Sequence, residues 1–88
     1  MVPLTFKNLE RPPQDIARGI AAAEAVFAAA GVSPAACHAD VQRARHGSQT
    51  WYAAARLWYA AEDAAVRAAC GSWRDAPMAV ALEWEGQS

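Results

Sequence analysis

Alanine fills 24 of the 88 positions, gathered into runs between a few capping and breaking residues, and this restricts the chain to closely spaced helices more than any other feature. Alanine combines the best helix propensity with the smallest apolar side chain, so such runs form helices readily and bury little surface each. Val, Ile, Leu and Phe number 14 together, so the 55% hydrophobic content overstates the bulk available for a core. Four Trp and two Tyr supply part of the difference, each large aromatic burying roughly 150–250 Å². A chain of 88 residues is expected to form one domain, residues 1–88, with no room for a cofactor domain joined to a substrate domain.

Eight basic and nine acidic side chains are interspersed and give a net charge of −1. That balance excludes a polyanionic mimic of nucleic acid and a strongly basic nonspecific binder. Cys37 and Cys70 have no paired-ligand spacing, and no hydrophobic leader precedes Pro3, so a cytoplasmic protein with two reduced, packed thiols is expected. The longest apolar run falls far short of the roughly 20 residues that span a bilayer, and no membrane partner is expected.

From Val2 to Phe6 the chain alternates, with Val2, Leu4 and Phe6 on one side and Pro3, Thr5 and Lys7 on the other, as in a half-buried strand. Pro3 confines it to a sheet edge or a strand start. Pro13 suits the first turn of a helix that runs to Ala30 and closes on Gly31 in a left-handed cap. Its buried stripe is Ile16, Ile20, Ala23, Phe27 and Ala30, and its back face holds Arg18, Ala21, Ala25 and Ala28. Ser33 and Pro34 open a second helix expected to close near His46, ahead of Gly47, with Cys37, Val41 and Ala44 as its apolar seam. Ser48 caps a third, longest helix that reaches Cys70 and stops at Gly71. Trp51-Tyr52 recurs seven residues later as Trp58-Tyr59, which predicts a central helix with its aromatics in the core and a narrow polar strip of Arg56, Asp63 and Arg67.

Residues 78–85 resolve best as a strand. Helical phasing would set Met78 and Leu82 against Val80 and Trp84, whereas a strand places all four on one side. The expected fold is therefore mainly α, a three-helix core with a small two-stranded antiparallel ribbon from the N- and C-terminal segments. The alternative is a four-helix bundle with a helical last segment.

Catalysis needs a nucleophile beside a base, paired carboxylates or a metal. Cys37 and His38 are adjacent, and neighbouring helical positions point about 100° apart. His38, His46 and Cys70 match no metal-ligand spacing, and the five glycines form no phosphate loop. The expectation is a non-enzymatic protein with no metal, cofactor or small-molecule substrate, acting by binding another macromolecule. Glu62 falls inside the Trp51, Ala55, Trp58, Ala65 stripe, where it pairs either with Arg18 or Arg43 from another helix or with a cation from a partner. Trp73 and Arg74, just after Gly71-Ser72, and Trp84, near the end of the chain, are the expected exposed contacts, because Trp and Arg are enriched at binding hot spots. A protein partner is expected, of the class of multi-subunit nucleoprotein complexes that phage or mobile-element inhibitors block in anti-CRISPR fashion. A homodimer through the terminal strands is a further option.

The phrase Ala30-Gly31-Val32-Ser33-Pro34-Ala35 resembles the turn and start of the recognition helix in helix-turn-helix repressors of the lactose-repressor type. The resemblance implies a DNA-binding regulator in which His38, Gln42, Arg43 and Arg45 read the duplex. Phe27, where a small residue is wanted, and Asp40, at a normally apolar position, depart from that pattern.

Overall fold

The computed structural model describes residues 3–86. Strand β1 (Leu4–Lys7) is followed by helices α1 (Pro13–Ala30), α2 (Pro34–Arg43) and α3 (Gln49–Cys70), a single 3-10 turn (Trp73–Asp75) and strand β2 (Ala81–Trp84). The two strands pair antiparallel, with Leu4 opposite Trp84 and Phe6 opposite Leu82. The three-helix core with a terminal ribbon is thus the fold, and the four-helix alternative is not. Val2, assigned to the first strand from its pattern, lies outside the described residues.

Local chemistry sets most of the boundaries. Pro13 begins α1 without forfeiting a needed N–H, and Gly31 ends it at φ 70°, its N–H donating to the Ala28 carbonyl. The Ser33 and Ser48 hydroxyls accept the Ala36 and Trp51 amides, capping α2 and α3. One boundary differs. Helix α2 closes at Arg43 rather than near His46, because Ala44 is already extended at ψ 149°. Arg45 and His46 therefore leave the helix, and His46 turns back to pack on Trp51 with ring centroids 4.2 Å apart.

The core lies where α1 crosses α3, under the ribbon. Ile20, Ala23 and Phe27 of α1 meet Ala54, Ala61 and Ala65 of α3, with Cys37 of α2 and Leu4 and Leu82 of the ribbon completing the cluster. Gly19 permits the crossing: a Cβ there would come within 2.8 Å of the Ala65 carbonyl oxygen and 2.7 Å of the Phe6 ring. Ala30, at the end of the predicted stripe, is exposed, as are Ala21, Ala25 and Ala28. Met78, predicted to share a strand face with Val80 and Leu82, precedes the strand and is fully exposed, while Val80 and Leu82 are buried.

Two arginines tie the start of α1 to the end of α3. Arg11 donates to the Ala69 carbonyl and Arg18 to the Ala68 carbonyl, at 3.3 and 2.9 Å, satisfying oxygens that the last turn of a helix leaves without partners. Asp15 pairs with both guanidinium groups. Asn8 adopts φ 62°, a left-handed conformation Asn tolerates better than most residues, and its side chain donates to the Ala79 carbonyl. No single helix among the described residues is long and apolar enough to cross a membrane, and α1 and α2, which together reach that length and composition, meet at 81°.

Candidate functional site

The aromatics of α3 separate by exposure. Trp51 and Trp58 are half-buried, and Trp58 packs on Phe27 with centroids 5.7 Å apart. Tyr52 and Tyr59 were expected in the core and instead face outward, 53% and 66% exposed. The reason is geometric. Consecutive helical residues diverge by about 100°, so only one member of each Trp-Tyr pair can point toward α1.

Outward of α3, Tyr52, Arg56, Tyr59 and Asp63 stand at i, i+4, i+7 and i+11, within a strip about 60° wide. Arg56 is exposed and makes no ion pair among the described residues. Asp63 accepts the indole N–H of Trp73 at 2.7 Å and the Nε of Arg67 at 2.9 Å, both on Oδ1. These two contacts, the indole first, hold its carboxyl below the usual aspartate range. Trp73 itself, 41% exposed, is pinned with its ring at the end of the strip. The turn that carries it is fastened by Ser72, whose hydroxyl caps the Asp75 amide and donates to its carboxylate. Arg74 is exposed in the same turn. Trp73 and Arg74 thus lie at the surface as expected, and Tyr52, Arg56 and Tyr59 extend the face they belong to. The signal for those three was present, since Arg56 and Asp63 already marked the polar strip and the tyrosines flank them at helical spacing.

Trp84 is placed differently. It is half-buried and stacks on His38, centroids 6.0 Å apart and planes 29° apart, and His38 also touches Trp58. These residues, with Val41, Gln42, Leu82 and Glu83, line a shallow cleft between α2 and β2. The freely exposed Trp84 of the sequence reading is therefore corrected to a partial wall of this cleft. The same packing bears on the recognition-helix arrangement, because His38 is held between two indoles and Gln42 lines the cleft. Arg43 and Arg45 are exposed, the first in the last turn of α2 and the second beyond it.

Glu62 pairs with neither Arg18 nor Arg43. Its Oε2 accepts the backbone N–H of Leu82 at 2.9 Å. This partner is a main-chain atom 20 residues away, and no side-chain pattern announces it. Cys37 and Cys70 are free and buried, as expected of packed thiols. Burial, and secondarily the Asp40 carboxylate, pushes the Cys37 thiol up, so it stays protonated and donates to the Ala54 carbonyl. No group of three or more metal-ligating side chains occurs among the described residues.

No protein-family model, curated protein or solved structure matches the chain.

Proposed function

We propose that the chain works by binding another protein, without chemistry of its own, through the outer face of α3 and the turn that follows it. One observation carries this reading: Tyr52, Tyr59 and Trp73, three of the four large exposed hydrophobics among the described residues, gather on a single strip with Arg56, which makes no ion pair among those residues. Tyr, Trp and Arg dominate binding hot spots because each offers broad contact area with a polar handle and few rotors. Trp73 is already fixed by Asp63, which lowers the entropy lost when a partner covers it. On its size and near-neutral composition we read the chain as an inhibitor or adaptor of the kind phages and mobile elements carry, directed at a multi-subunit bacterial complex in anti-CRISPR fashion.

Affinity capture from a bacterial lysate, with mass spectrometry of the recovered proteins, tests the reading when run beside Tyr52→Ala/Tyr59→Ala. The expected result is a partner held by the native chain at sub-micromolar affinity and lost by the double variant, whose circular dichroism is unchanged. Retention of duplex DNA instead, weakening as salt rises and lost in Arg43→Ala/Arg45→Ala, would replace this reading with that of a DNA-binding regulator.

A further inference from the structure

The α3 strip is complementary to itself, and from this we infer that a second copy of this chain covers it, the two α3 helices packing antiparallel about a two-fold axis between Tyr59 and Ala60. The inference rests on the reading of this face as protein-binding and names the occupant that covers it when no other protein partner is bound, the two competing for one strip. A two-fold contact presents one patch to itself, so a charge on one side of the axis must find its opposite at the same distance on the other. Arg56 and Asp63 satisfy that condition. They lie three and a half residues either side of this axis, about 5 Å along the helix at its usual rise. In the antiparallel pair each Arg56 stands opposite Asp63 of the second copy, and the contact occurs twice.

The groups left free within one chain are the ones this arrangement uses. Arg56 has no ion-pair partner among the described residues. Asp63 receives Trp73 and Arg67 both on Oδ1, which leaves Oδ2 to accept a guanidinium from outside. At the axis Tyr59 meets Tyr59 of the second copy, and the exposed, small Ala60 beside it lets the helices approach closely. Farther out, Tyr52 stands opposite Arg67 of the second copy, a cation–π pairing, and Trp73 comes beside the Arg56 that Asp63 receives. The 22 residues of α3 give a seam about 33 Å long, enough for an extended helix-to-helix interface.

Sedimentation velocity over a micromolar to millimolar concentration series is the measurement. The native chain is expected to run at twice the monomer mass at the upper end. Arg56→Asp, a surface change that breaks no ion pair among the described residues, sets two carboxylates against each other and is expected to weaken self-association by at least about tenfold without altering the thermal melt. Asp63→Arg is likewise expected to be monomeric. Mixing these two variants restores opposite charges at both contacts, so the mixture is expected to form a heterodimer that neither forms alone. A native chain that stays monomeric throughout, or a mixture that fails to associate, overturns the inference. If the native chain is monomeric and Tyr52→Ala/Tyr59→Ala nevertheless loses a captured protein, the dimer is refuted while the face remains a binding site for a different partner.

Discussion

At Gly19, helix propensity and packing pull in opposite directions. Replacing a helical glycine with alanine in open space gains about 1 kcal/mol. Here the new Cβ would press on the Ala65 carbonyl oxygen, which belongs to the backbone of α3 and cannot swing away as the Phe6 ring can. Overpacking of this kind costs about 1–3 kcal/mol, which offsets the propensity gain and leaves Gly19→Ala expected to lower the unfolding free energy by up to about 2 kcal/mol in urea denaturation. A variant as stable as the parent would mean the α1–α3 crossing relaxes freely. Asp63 gives a second test at this scale. Its folded pKa lies below the ordinary aspartate value, so the Trp73 anchor is present above the ordinary range and is lost as pH falls through the lowered one. Indole fluorescence should therefore hold steady down through about pH 3.9, the unperturbed aspartate value, and change only below it. Asp63→Asn and Trp73→Phe should each remove that step, and a step surviving in either would assign it elsewhere.

Among the elements, α1 and α3 were legible in the sequence to the residue, because Pro13, Gly31, Ser48 and Gly71 act locally on the backbone. The end of α2 was not, since Ala44, Arg45 and His46 are all tolerated in helices, yet Ala44 is extended and His46 packs on Trp51. The ribbon was legible as two strands, while the means of holding it in place was not. Its register explains the role of Glu62. The Glu85 N–H donates to the Pro3 carbonyl, so by antiparallel alternation the pairs Leu4–Trp84 and Phe6–Leu82 turn their amides outward. Glu62 receives one of these, fastening β2 to α3 and blunting that strand edge. Glu62→Ala leaves the Leu82 amide without its acceptor and is expected to cost about 1–3 kcal/mol. Glu62→Gln keeps an acceptor oxygen and should cost clearly less. Equal losses in the two variants, compared by thermal melting, would show that the negative charge rather than the hydrogen bond matters.

For the molecule as a whole, the small alanine-lined core is legible and its division between inside and outside is only half so. Four aromatics on one helix read as a single core face because a heptad echo shows repetition without showing which neighbour of each pair points inward. Exposure of the tyrosines makes the outer face of α3 as distinctive as the inner one. The ribbon also brings residues 3 and 85 within a hydrogen bond of 2.6 Å, so the two ends of the fold are adjacent. A short Gly-Ser linker joining them, with new ends opened in the segment between α2 and α3, is expected to leave the circular dichroism spectrum unchanged. Loss of helicity in that permutant would show that the order of synthesis matters to the final state.

The same adjacency has a consequence in time. Every ladder contact of the ribbon joins residues more than 70 positions apart, while only α2 and its two short connections separate α1 from α3. As the chain leaves the ribosome, the helical pair can assemble while Leu4 and Phe6 still wait for the strand that will pair with them. Strand β1 thus stays unpaired until residues 81–84 have emerged, and the closing of the ribbon reports that the whole span between the two strands has been built.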